Sequence, residues 1–255
     1  MTTTLQTFFQ DNPKTALAFS GGTDSAYLLS AGLKYGADIR AYYIKSQFQP
    51  AFELADAQRL AAELGTALTI LPLDVLSVPQ VRRNPADRCY YCKQAIFTTL
   101  IRQAGKDGYP LVIDGTNVSD LTEDRPGMRV LAELGVRSPL REAGLTKEEI
   151  RVLSKEQGLF TWNKPAYACL STRIAPGEEI TEKALRQVEE AEKALAACGF
   201  SDFRVRVAGN SARLQVTASQ MDLVLAKRSR ILELLHPYYT TVTLDLKERQ
   251  GAAEK

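Results

Sequence analysis

Ala16-Leu17-Ala18-Phe19-Ser20-Gly21-Gly22-Thr23-Asp24-Ser25 runs from an apolar stretch through two glycines into hydroxyl and carboxylate side chains. The apolar tetrapeptide reads as a buried strand. Asp24 and Ser25 open an amphipathic segment, Ala26-Tyr27-Leu28-Leu29-Ser30-Ala31-Gly32-Leu33, that reads as a helix. Two glycines at the turn let the backbone adopt angles closed to other residues and approach a ligand closely. The N–H groups of the turn and of the helix start then face an anion, aided by the positive end of the helix dipole. Two glycines alone are a common turn; strand, loop and helix together make Ser20, Gly21, Gly22, Thr23, Asp24 and Ser25 a phosphate cradle.

Outward from this stretch the pattern repeats. Strands are expected over 16–19, 39–44, 68–73 and 111–114, and helices over about 24–35, 52–64, 93–104 and 147–157. Strands separated by helical patterns of about 10–15 residues form βαβ units, giving an α/β fold with a parallel sheet and helices on both faces. Ligands on such sheets bind beyond the carboxyl ends of the strands. That rule sets the glycine loop on the same rim as Asp114, Gly115, Thr116 and Asn117. Around Ala175-Pro176-Gly177 the pattern changes to a charged helix (about 181–197) and two period-two runs, Phe203-Arg204-Val205-Arg206-Val207 and Ala212-Arg213-Leu214-Gln215-Val216, joined at Gly209-Asn210-Ser211. A helix over about 220–235 and a strand over 241–246 follow. The expected organisation is an α/β domain over 1–177 and a smaller α+β domain over 178–255, with a frayed polar tail from 247.

Composition excludes several classes. An apolar fraction of 45% with 24% charged residues is that of an ordinary soluble domain. No apolar stretch approaches the ~20 residues of a bilayer span, and Met1-Thr2-Thr3-Thr4-Leu5 carries no secretory pattern, so a cytoplasmic protein without a membrane partner is expected. Basic and acidic residues number 32 and 30 and are interleaved, which argues against a nucleic-acid surface. Four cysteines point to metal binding or catalysis before a disulfide framework.

Cys89 and Cys92 form a C-x-x-C in Asp87-Arg88-Cys89-Tyr90-Tyr91-Cys92-Lys93, and Cys169 stands alone in Ala168-Cys169-Leu170-Ser171-Thr172-Arg173. The pair could serve redox chemistry or half a zinc site. Cys198, late in an expected helix, is a poor fourth ligand and reads as an inert thiol. His236, the one histidine, reads as a helix-end residue. Three thiolates without a fourth suit a four-iron cluster with one open iron able to carry an extra sulfide; three unrelated buried cysteines and a three-cysteine zinc site are the other readings.

The S-G-G-x-D-S pattern resembles the PP-loop of ATP pyrophosphatases, which split ATP into AMP and pyrophosphate; no Gly-Lys-Ser/Thr of a Walker loop follows it. The chain as a whole resembles the LarE family of ATP-dependent sulfur transferases, which make the pyridinium thiocarboxylate precursor of a nickel-pincer cofactor used by lactate racemase. The likeness rests on the loop, on 87–93, on Asp114-Gly115-Thr116-Asn117-Val118-Ser119-Asp120, on Asp124-Arg125-Pro126-Gly127, and on Trp162-Asn163-Lys164-Pro165-Ala166-Tyr167-Ala168-Cys169-Leu170-Ser171-Thr172-Arg173. It implies ATP and Mg²⁺ at 20–25 and 114–117, with Asp24, Ser25 and Cys169 as catalytic residues. It implies a [4Fe-4S] cluster on Cys89, Cys92 and Cys169, whereas members with only the third cysteine sacrifice its sulfur and leave dehydroalanine. It implies a strongly anionic mononucleotide substrate on Arg173, Arg204 and Arg206, an unspecified sulfide donor, and a homo-oligomer.

Two positions depart from the family pattern: Ala208 stands where a histidine is common, and Gln215 where a glutamate is common. The family associates acidic residues of this region, here Glu192 and Asp222, with a second metal, and Gln215 weakens that expectation. The rival readings are a PP-loop tRNA thiolase, which the balanced charge disfavours, an AMP-forming amidotransferase, which would leave the cysteines idle, and a nonenzymatic iron–sulfur or nucleotide-binding regulator.

Overall fold

The computed structural model describes residues 4–120, 126–165 and 167–249. Asp124, Arg125 and Ala166 of the motifs above, and 250–255 of the tail, lie outside the described residues. The chain forms two compact units: Met1–Val78 with Asp87–Lys164, and Pro79–Ala86 with Pro165–Lys255.

In the first unit four strands, β1 (Lys14–Ala18), β2 (Asp38–Lys45), β3 (Leu68–Pro72) and β4 (Leu111–Ile113), form one sheet in the order β3-β2-β1-β4. Every pairing is parallel. Side chains of successive strand residues point to opposite faces, and both faces of the central strands β1 and β2 are covered. Leu17, Ile39, Ala41, Tyr43 and Ile113 pack with one group of buried residues, which includes Leu28 and Leu29 of the Thr23–Lys34 helix. Ala16, Tyr42, Ile44 and Val112 pack with another, which includes Phe97 and Leu100 of the Arg88–Lys106 helix. A sheet buried on both faces favours near-continuous apolar runs, as in Ala16-Leu17-Ala18 and Ala41-Tyr42-Tyr43-Ile44, whereas the edge strand β3 leaves Ile70 exposed. The order runs outward from β1 to β2 and β3 on one side and to β4 on the other. The direction of winding therefore reverses between β1 and β4, where a crevice opens beyond the strand ends.

The second unit contains β5 (Arg204–Ala208), β6 (Ser211–Gln215) and β7 (Thr241–Leu244), with β5 and β6 antiparallel and β6 and β7 parallel. Gly209, at φ 54°, takes the first position of the two-residue hairpin turn, a left-handed angle that glycine adopts without strain. The Glu182–Ala197 helix starts at Thr181, whose hydroxyl accepts from the Ala184 N–H at 3.1 Å. Its Leu185, Val188, Ala191 and Leu195 are buried, as are Val205, Val207, Ala212 and Leu214 of the hairpin.

Two elements differ from the sequence expectation. The helix expected over 220–235 is broken at Lys227 into Met221–Ala226 and Arg228–Leu235. Lys227 leaves helical geometry, and its ammonium donates to the carbonyl of Cys198, the residue that ends the Glu182–Ala197 helix, at 2.6 Å. The Leu5–Asp11 helix, where the sequence reading assigned no element, is fixed by a capping box between Thr4 and Thr7 and by burial of Leu5, Phe8 and Phe9. Among the described residues no helix is long and apolar enough to cross a membrane.

Candidate functional site

The chain leaves β1 through Phe19, turns at Ser20, Gly21 and Gly22, and enters the Thr23–Lys34 helix. Gly21 sits at φ +72°, and a Cβ there would come within 3.1 Å of backbone atoms of Ala57. Only glycine satisfies both the angle and the close approach. The turn is held from inside. Ser25 accepts from the Ser20 N–H at 3.3 Å and donates to the Gly22 carbonyl at 3.2 Å, while the Gly22 N–H donates to the Ser20 hydroxyl at 3.3 Å. Thr23 donates to the Thr161 carbonyl at 2.8 Å. Among the described residues no hydrogen bond reaches the backbone N–H of Thr23, Asp24 or Ser25. Unpaired donors at a helix start are what an anion needs.

Residues 114–117 lie against this turn. A Cβ on Gly115 would meet the Ser25 nitrogen at 3.0 Å and the Asp24 Cβ at 3.3 Å, so the loop after β4 packs directly on the helix start. The Asp114 carboxylate accepts from the Ser138 hydroxyl (2.7 Å), the Thr116 hydroxyl (2.6 Å) and the Thr116 N–H (3.3 Å), and the Asn117 side-chain carbonyl accepts from the Ser119 N–H at 2.8 Å. Asp114 and Asn117 thus shape their loop. The rim loops predicted from sequence meet at the crevice between β1 and β4.

Sequence reasoning missed the cations at this place. Lys147, first residue of the Lys147–Glu156 helix, reaches Asp24 Oδ2 at 2.5 Å. Lys164 pairs with Asp56 at 2.6 Å and donates to the Gly21 carbonyl at 3.4 Å. Burial raises the Asp24 carboxyl above its ordinary value, and Lys147 pulls it back only in part. Asp24 Oδ1 is buried without a partner among the described residues. One signal was present: a lysine opening a helix opposes that helix's own dipole and asks for an outside partner. The partner, 123 positions away, was not visible.

Cys89 and Cys92 lie in the first two turns of the Arg88–Lys106 helix, three residues apart and hence on one face. Cys89 is exposed, and the Arg88 guanidinium lies 3.8 Å from its sulfur. Neither forms a disulfide, so their donor chemistry fits a soft metal or an iron–sulfur group.

Cys169 belongs to the second unit, where it precedes the 3₁₀ turn Leu170–Arg173 with its sulfur 3.1 Å from the Ser171 hydroxyl. Arg173 is 1% exposed. Its guanidinium grips Glu192 through two bonds (2.8 and 3.0 Å) and donates to the Ala168 carbonyl at 2.7 Å and the Thr172 hydroxyl at 2.9 Å. Glu192 also accepts from the Tyr167 hydroxyl at 2.6 Å and the Val205 N–H at 2.9 Å. Arg204 and Arg206 alternate on β5. Arg204 lies over the Tyr167 ring at 5.0 Å, and burial, together with the Arg173 charge, lowers its pKa to about 10. Arg206 donates to the Thr172 carbonyl at 2.8 Å and to Gln215 at 2.5 Å. Gln215 donates to Asp245 at 2.7 Å. The glutamine that departs from the family pattern is thus a bridge from Arg206 to Asp245. Cys198 closes its helix half-buried, and His236 ends the Arg228–Leu235 helix.

The first unit defines a Rossmann-type parallel α/β protein with a glycine loop at the switch point of its sheet. A pyridinium-3,5-bisthiocarboxylic acid mononucleotide synthase of Lactiplantibacillus plantarum is 34% identical over 246 residues, spanning 95% of this chain and 89% of the relative. An uncharacterized protein of Synechocystis sp. is 36% identical over 252 residues, spanning 97% of this chain and 94% of the relative. An uncharacterized protein of Methanocaldococcus jannaschii is 30% identical over 227 residues, spanning 89% and 86%. No protein-family model matches the chain. The chain belongs to the LarE family, that of the Lactiplantibacillus synthase.

Proposed function

We propose that this protein is an ATP-dependent sulfur transferase that converts a carboxylate of a pyridinium mononucleotide into a thiocarboxylate, in the maturation of a nickel-pincer cofactor. The observation that carries this reading is the loop 20–25, whose helix-start N–H groups at the switch point have no partner among the described residues, in a chain related over 95% of its length to a synthase of that product class.

A carboxylate is a poor electrophile because its oxygen leaves badly. In the proposed reaction a carboxylate oxygen attacks the α-phosphorus of ATP, the bond to the β-phosphate oxygen breaks, and pyrophosphate departs. Sulfur then attacks the carbonyl carbon, and the C–O bond to AMP breaks with its electron pair. The N–H groups of Thr23, Asp24 and Ser25 stabilise charge on the departing pyrophosphate. Asp24 would hold Mg²⁺, which neutralises further charge there. Cys89, Cys92 and Cys169 would hold a [4Fe-4S] cluster, whose chemistry is to supply sulfide. The anionic carboxylate needs no general base, which suits a chain whose one histidine caps a helix. Arg204 and Arg206 supply charge for the substrate phosphate, while Arg173 holds the Cys169 turn.

The test is one anaerobic preparation assayed for iron, for sulfide and for the mass of the product made with ATP. Iron and sulfide near four each per chain, lost in Cys89→Ala, with a product in which sulfur has replaced oxygen, is the expected result. Zinc alone in the protein would end the cluster reading. Loss of hydrogen sulfide from Cys169 after turnover would replace it with a sacrificial cysteine.

A further inference from the structure

The glycine loop contains no lysine, although a polyphosphate is more strongly anionic than backbone N–H groups alone neutralise. We propose that Lys147 is the phosphate-binding lysine of the loop, held on Asp24 until a nucleotide arrives. The inference rests on the nucleotide reading above and names the residue that selects a triphosphate there.

Three observations support it. Lys147 is the first residue of its helix, where the positive dipole end disfavours a cation. Thr146 and Glu149 already satisfy that helix start through a capping box, so Lys147 is not needed there. Its ammonium instead reaches Asp24 at 2.5 Å, beside the Thr23, Asp24 and Ser25 N–H groups. Lys147 and Asp24 are each 25% exposed at the side chain, so the pair borders the opening. The pair also leaves Asp24 half used, since Oδ1 has no partner among the described residues.

Lys164 is a weaker candidate. It is held by both the Asp56 carboxylate and the Gly21 carbonyl, and its side chain is 16% exposed. Arg151, one turn after Lys147, donates to the Lys164 carbonyl at 3.2 Å and the Asn163 side chain at 3.4 Å. These bonds fix the segment carrying Lys164 to the segment carrying Lys147, so Lys147 keeps its aim. Moving the ammonium from a carboxylate to a phosphate exchanges one charge-assisted contact for another, so the loop need not be rebuilt.

The experiment is calorimetric binding of α,β-methylene-ATP and of AMP to the full chain and to Lys147→Met and Lys147→Arg, with thermal melting of each. In Lys147→Met the triphosphate analogue is expected to bind about ten- to a hundredfold more weakly, the size of a lost charged hydrogen bond. AMP is expected to change less than about threefold, and Lys147→Arg to recover most of the loss. Equal weakening of both nucleotides, or an unchanged triphosphate affinity, would overturn the inference. A parent chain that binds neither nucleotide would overturn the nucleotide reading itself, with this inference falling as its consequence.

Discussion

The glycine loop of the first unit and the cysteine turn of the second each carry one charged side chain, Asp24 and Arg173, and dispose of their polar groups differently. At 20–25 the helix-start N–H groups and one oxygen of Asp24 lack partners among the described residues. At 167–173 each oxygen of Glu192 accepts two hydrogen bonds, and Arg173 is almost wholly buried. A surface that keeps polar groups unpaired leaves donors free for a ligand. One that pairs them internally is arranged to hold a residue still, and the residue held here is Cys169.

Substitutions can break that contrast. The largest effect is expected from Cys169→Ala, which should abolish sulfur incorporation while ATP-dependent pyrophosphate release with the mononucleotide persists; loss of both activities would mean the two sites are not separable. Next is Glu192→Ala, which strands the buried Arg173 guanidinium. Breaking a buried pair on one side costs about 3–5 kcal/mol, read by denaturant unfolding, and faster alkylation of Cys169 should accompany it. Unaltered thiol reactivity would deny Glu192 its positioning role.

Gly21→Ala should cost about 1–2 kcal/mol for the left-handed angle alone, with further loss from the approach to Ala57 and weaker nucleotide binding. An alanine variant with parental melting would refute the close-packed turn. On stability alone, Asp24→Asn gives the smallest effect and the opposite sign. Burial outweighs Lys147 and raises the Asp24 carboxyl, so the native state holds that proton more tightly than the unfolded chain. Stability from this group is present below its ordinary value of 3.8 and is lost as pH rises through the native value. Asp24→Asn should therefore melt at or slightly above the parent at neutral pH and lose the advantage in acid. A lower melting temperature at neutral pH would show that the Lys147 pair dominates.

The contrast also explains what could be read from sequence. The parallel sheet was legible because Ala16-Leu17-Ala18-Phe19 and its counterparts are apolar on both faces and alternate with helical periods. The glycine loop was legible because backbone constraint leaves a local signature at Gly21. Lys147 was not, because an ion pair between residues 24 and 147 follows from packing and has no local period. Glu192 was read through the family as a metal-associated acid. Its partners come from 167, 173 and 205, which only the folded unit brings together. The break at Lys227 was hidden too, and the lysine there meets a carbonyl at the end of another helix, a contact with no local signal.

The most direct test of the account is to identify the nucleotide products formed when the full chain turns over ATP with a pyridinium dicarboxylate mononucleotide. AMP and pyrophosphate in equal amounts, dependent on the mononucleotide, are the expected products. ADP and phosphate, or no nucleotide turnover under conditions in which the mononucleotide binds, would contradict the account.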